Sequence, residues 1–149
     1  MNFRMVVSVI LLLFVLLASS CSTKHPIIGS WNLEQFIFSQ KHIEQMRNGY
    51  IEKGFSEEEI EEGIEFQKGV MANFHLQFTF KANGKGIITS FDYEEEFTWS
   101  TKDDVLTMKS LGFFDLIEDD EGDKYIISSD TLTIMGSETE SRMVFKRSE

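Results

Sequence analysis

From Phe74 onward the chain alternates apolar and polar positions with a period of two. Leu76, Phe78 and Phe80 share one parity, while His75, Gln77 and Thr79 take the other. That pattern predicts half-buried strands. Asn83-Gly84 predicts a hairpin turn, because both residues tolerate positive φ, and Ile87, Thr89 and Phe91 continue on the return strand. Phe97 and Trp99 alternate with Glu96 and Thr98, Lys102-Asp103-Asp104 marks a turn, and Leu106 and Met108 follow. Leu111 to Ile117 is apolar and either extends a strand or folds over a barrel end, and Glu118 to Asp123 reads as an acidic loop. Three more strands carry Tyr125 and Ile127, Leu132 and Ile134, and Met143 and Phe145, with turns at Ser129-Asp130 and Gly136-Ser137. Near the other end, Ser30 to Phe38 also alternates, with Trp31, Leu33 and Ile37 on one parity. About eight short, evenly spaced strands predict a mainly β, antiparallel sandwich or barrel.

Between the first and second strands the period changes to that of a helix. Ser39 is placed to cap a helix carrying Ile43, Met46, Tyr50 and Ile51, and Gly54 to end it. A second helix starts at Ser56, which forms a capping box with Glu59, while Phe55 and Ile60 are spaced as a hydrophobic staple. Glu57, Glu58 and Glu59 favour the positive end of the helix dipole. Ile60, Ile64, Gln67 and Met71 run down one face. The expected domain therefore spans 27–149 with a helical insertion over 39–72.

The N-terminus has a different character. Arg4 precedes a nearly continuous apolar run from Met5 to Ala18, too short to cross a bilayer comfortably and shaped like a secretory signal. The run closes on Ser19, Ser20 and Cys21, the single cysteine. This ending resembles the lipobox of bacterial lipoproteins, with Ala18 standing where that motif usually has leucine. The resemblance implies cleavage before Cys21 and attachment of acyl chains to it. Residues 1–20 are then a signal peptide and 21–26 a lipidated tether of at most ~18 Å beyond Cys21. The mature chain then holds no free thiol, because the sulfur of Cys21 carries the lipid, so disulfides are excluded and a core must supply the stability. Ser22 after the cysteine, with no acidic cluster following, resembles the sorting pattern for a Gram-negative outer membrane, facing the periplasm.

The charge narrows the possible partners. The whole chain has a formal net charge of −11; losing residues 1–20 removes one base, Arg4, and no acid, which gives −12. Such a surface repels phosphate backbones and anionic headgroups, which argues against nucleic acid and against charge as the membrane attachment. The acyl chains must hold the protein to the bilayer. Asp119, Asp120, Glu121 and Asp123 do not have calcium-loop spacing, and His25, His42 and His75 are scattered, so no metal site is assigned. The acidic runs, Glu94 to Glu96 among them, read as solvated surface. There is no G-x-S-x-G elbow, no phosphate loop and no mature cysteine nucleophile; no catalytic residue and no cofactor is assigned.

Gly29-Ser30-Trp31 resembles the G-x-W signature of lipocalins. Residues 78–86, Phe-Thr-Phe-Lys-Ala-Asn-Gly-Lys-Gly, are similar to the second-strand hairpin of bacterial lipocalin-like lipoproteins. Trp99, the strand 104–108 and the closing run 143–147 fit the same order. The resemblance covers roughly 27–147 and implies an eight-stranded up-and-down barrel with a pocket. It also implies that Gly29 and Trp31 build a closed barrel end beneath a cation from the last strand, either Arg147 or Arg142. The helix pair departs from the usual lipocalin plan and either forms a lid or fills the mouth.

The expected inward set includes Leu33, Leu76, Phe78, Phe80, Ile87, Phe91, Phe97, Trp99, Leu106, Met108, Ile134, Met143 and Phe145. Of these, Phe78, Phe80, Phe91, Trp99, Met108 and Phe145 are the candidate cavity lining. The leading expectation is a small apolar or amphipathic ligand inside the barrel. The alternative is a filled barrel that serves as a non-catalytic protein interaction module.

Overall fold

A computed structural model of the chain describes residues 25–110 and 122–149. Cys21, the signal segment, the start of the tether, the apolar stretch 111–117 and the acidic residues 118–121 lie outside the described residues.

Eight strands form one closed antiparallel barrel in simple sequential order: β1 (Gly29–Ile37), β2 (Gln77–Phe80), β3 (Lys85–Ser90), β4 (Tyr93–Lys102), β5 (Val105–Ser110), β6 (Asp123–Ser128), β7 (Thr131–Met135) and β8 (Arg142–Arg147). β8 pairs back onto β1, with Trp31 opposite Arg147 and Phe36 opposite Met143, so the sheet closes on itself. Two helices, α1 (Gln40–Glu52) and α2 (Glu57–Ala72), lie between β1 and β2. Ser39 caps α1 by accepting from the His42 N–H at 3.0 Å. Ser56 and Glu59 form both halves of the capping box on α2. Gly54, at φ +81°, ends the first helix, because few other residues adopt that backbone at low cost. The Phe55 ring stacks edge-on against Tyr50 at 5.5 Å.

Two stretches face differently from the alternation read along the sequence. The β1–β8 register slips by one residue between Leu33 and Gln35. An extra residue in a strand turns every later side chain to the opposite face. Phe36 therefore points toward the barrel mouth, and Ile37 is exposed instead of inward. In the β2–β3 hairpin, Phe80 pairs with Gly86 and the Lys81 N–H donates to the Lys85 carbonyl at 2.8 Å. The loop thus has three residues, 82–84, with only Gly84 at positive φ. A three-residue loop shifts the return strand by one relative to a two-residue turn. Gly86, Ile88 and Ser90 consequently face in, and Ile87 and Thr89 face out. Phe91 leaves the strand altogether: it sits in the β3–β4 turn at φ +52° and is 68% exposed.

One half of the barrel is packed solid. Phe78 lies 5.1 Å from Phe145, 5.8 Å from Phe97 and 5.9 Å from Phe80, measured between ring centroids. Phe80 meets Phe97 and Trp99 nearly edge-on, at 5.4 Å in each case. These tilted and T-shaped contacts suit the aromatic quadrupole and add about 0.5–1.5 kcal/mol per pair beyond burial. Ile88, Leu132 and Ile134 fill the spaces around the rings. Gly86 completes the fit, since a Cβ there would come within 2.2 Å of the Phe97 ring.

Candidate functional site

The two barrel ends differ in construction. At the closed end the chain enters through His25–Ile28 and is bound across the opening. The Trp31 indole is fully buried and donates to the Ile27 carbonyl at 2.7 Å. Arg147 lies over the indole with its guanidinium carbon 4.1 Å from the ring centroid. The same guanidinium donates to the carbonyls of Ile28 at 3.0 Å and Pro26 at 2.6 Å. Two charge-assisted bonds and a cation–π contact thus fasten the entering segment over the core. Gly29 adopts φ +134°, and a Cβ there would sit 2.8 Å from the guanidinium, which explains a glycine two residues before the tryptophan. Arg142 stands at the other end of β8, exposed, opposite Ile37. Trp99 belongs to the closed end too. It donates to the Lys85 carbonyl at 2.9 Å and packs against His25 at 5.8 Å.

The other end carries the free space. A cleft of about 510 Å³ lies between the helix pair and the rim of the barrel. Its apolar wall comes from Phe36 on β1, Phe38 just after it, Met71 on α2, Phe74 and Leu76 before β2, Leu106 and Met108 on β5, and Met143 on β8. His42 on α1, Asp123 at the start of β6 and the β7–β8 loop over 136–141 supply the polar side. The volume falls within the ordinary range for small-molecule sites, as does a mainly apolar wall with few polar groups.

Local chemistry holds α1 over this rim. Ser141 is buried, accepts from the Ser39 N–H at 3.2 Å and places its Oγ 2.8 Å from His42 Nδ1. Ser39 Oγ donates in turn to the Thr139 carbonyl. The His42 ring also packs against Phe38 at 5.2 Å. Burial lowers the His42 pKa below 6.5, so the imidazole is neutral at pH 7. Across the helix hairpin, Arg47 forms ion pairs with Glu57 and Glu61, which keep the guanidinium in its charged form. These pairs are largely solvated and add little stability. On α2, Ile60 and Ile64 are buried and Gln67 and Met71 line the cleft, the face read from the sequence.

Of the six candidate lining residues, only Met108 borders the cleft. Phe78, Phe80 and Phe145 belong to the packed half, at 0–2% exposure, and Trp99 to the closed end. Phe91 lies outside the barrel, its ring against Phe74 at 5.9 Å and His75 at 5.7 Å. The reason is that bulky rings on short, facing strands meet across the barrel axis and fill it. Sequence reasoning missed Phe36, Phe38, His42 and Asp123. It also placed Glu95 in a solvated run, whereas Glu95 is only 8% exposed and accepts from the Tyr93 hydroxyl at 3.3 Å. The signal was present for Glu95: it shares the parity of Phe97 and Trp99.

No family model matches this chain, and no curated protein matches it. Among solved structures, the chain is similar to the crystal structure of a DUF4847 family protein from Bacteroides vulgatus, with 15% sequence identity and a TM-score of 0.50. The match covers 80% of this chain and 92% of that one, and at this identity the likeness is one of fold.

Proposed function

We propose that this is a lipid-anchored, lipocalin-like protein of the bacterial cell envelope that binds a small apolar or amphipathic molecule at the helix-capped mouth. The observation that carries the reading is the cleft of about 510 Å³, walled by aromatic, leucine and methionine side chains beneath α1 and α2. Thioether and aromatic groups adapt to varied apolar shapes, and removing ligand surface from water yields ~25 cal/mol per Å². The site has no catalytic role in this reading. The packed half of the barrel is a rigid support, and the helix pair is a lid.

The anchor is the acylated Cys21, in the outer membrane facing the periplasm. The described chain enters the barrel at its closed end, four residues after Cys21. That supports an arrangement with the closed end toward the bilayer and the mouth directed away from it.

The test is titration of the intact protein with a neutral naphthylamine dye. Saturable fluorescence enhancement is expected, and Met71→Trp, which fills the cleft, should reduce it by about tenfold or more. Absence of saturable binding, or equal binding by Met71→Trp, contradicts the reading. A second reading is favoured by one observation: Ile51, Phe55, Phe66 and Val70 leave apolar surface exposed on the helix pair. A protein-docking role predicts dye binding that is lost in Phe66→Ser and kept in Met71→Trp.

A further inference from the structure

We infer that the mouth cleft selects amphiphiles with a cationic head over those with a carboxylate head. The inference rests on the ligand-binding reading above and names the class of ligand for the same site.

Charged groups stand in a defined pattern around an apolar floor. Leu106, Met108 and Met143 form that floor, which suits an alkyl or aromatic tail. The ionisable groups on the wall are His42, Asp123 and Glu138; among the described lining residues there is no lysine and no arginine. The imidazole is neutral at pH 7, held against Ser141 and two phenylalanine rings. Among the described lining residues the charged groups are therefore all acidic. Asp123 is fixed in place, because its Oδ1 accepts from the Ser137 N–H at 3.0 Å and so ties β6 to the β7–β8 loop. Glu138 is the next residue of that loop and is exposed at the rim. Nearby, the Lys41 ammonium is engaged by Glu140 at 3.3 Å and is not part of the wall.

A carboxylate head seated here meets two like charges beside a low-dielectric wall, where repulsion is stronger than in bulk water. An ammonium head meets opposite charge, and the faces of Phe36 and Phe38, 4.7 Å apart between centroids, add cation–π attraction. The net charge of −11 extends the same preference to the approach path.

The experiment is calorimetric titration of the intact protein with three probes that share one tail: octyltrimethylammonium, octanol and octanoate. The ammonium is expected to bind about tenfold or more tighter than octanoate, with octanol between them. The ratio of ammonium to octanoate affinity should fall by about threefold in Glu138→Gln and in Asp123→Asn, where the amide oxygen still accepts from Ser137. Glu138 is exposed, so that variant keeps the fold even if Asp123→Asn does not. Glu62→Gln, on the outer side of α2, should leave the ratio unchanged. Octanoate binding as tightly as the ammonium, or a ratio unmoved in Glu138→Gln, overturns the inference while octanol binding keeps the apolar reading intact. If none of the three probes binds, both the inference and the proposed function fall.

Discussion

Replacing Trp31 with alanine is expected to lower the free energy of unfolding by about 3–5 kcal/mol, measured by urea denaturation. The indole is fully buried, so its removal leaves a large cavity at the closed end. It also leaves the Ile27 carbonyl without its donor and the Arg147 guanidinium without the face beneath it. The segment His25–Ile28 then keeps Arg147 and the contacts of His25 with Thr101 and Trp99, but loses its bond to the indole. Because Trp31 and Arg147 act as one unit, Arg147→Ala in the Trp31→Ala background should cost less than Arg147→Ala alone. Arg142→Ala, at the exposed opposite end of β8, should change stability by no more than about 0.5 kcal/mol. Equal effects of the two arginine substitutions would contradict the assignment of the closed end.

The second large effect is expected at a residue with no side chain. Gly86→Ala adds one methyl group, yet that methyl would lie 2.2 Å from Cζ and 2.4 Å from Cε1 of Phe97. Phe97 cannot yield easily, since Phe78 and Phe80 hold it from two other sides. Overpacking of this kind costs about 1–3 kcal/mol, and the rigid aromatic surroundings favour the upper part of that range. The diagnostic is rescue. Phe97→Leu removes the clashing edge, so the double variant Gly86→Ala/Phe97→Leu should be more stable than the sum of the single costs predicts. Strict additivity would mean that residues 86 and 97 do not meet inside the barrel.

Both predictions bear on what the sequence made readable. The number and order of strands were legible, because period-two alternation over 76–80, 97–99 and 132–134 reports directly on a sheet with one apolar face. The helix insertion was legible through its ends: Ser39, Gly54 and the Ser56–Glu59 box are local signals that need no tertiary partner. Facing was less secure, since parity within a strand depends on events a single residue long. The bulge beyond Leu33 and the third loop residue before Lys85 each turn a strand over. Neither leaves a hydrophobic signature, and at Gly86 the inward position carries no side chain to announce itself.

The closed end was largely readable, because Gly29, Trp31 and Arg147 are brought together by the first and last strands alone. The mouth was not. Phe36 and His42, Met71, and Asp123 come from three stretches far apart in the chain and converge only when the helix pair settles over the rim. Alternation says which residues leave the surface, but not which meet across the axis and which stop short of one another. That difference separates the filled half, around Phe78 and Phe145, from the open half around Met108.

The division into a filled half and an open mouth is tested most directly by methyl NMR of the intact protein during titration with octanol. The account predicts shifts at the methyl groups of Leu76, Met71, Met108 and Met143, with those of Ile88, Leu132 and Ile134 unmoved. Shifts confined to Ile88, Leu132 and Ile134 would locate the ligand among the rings and contradict it.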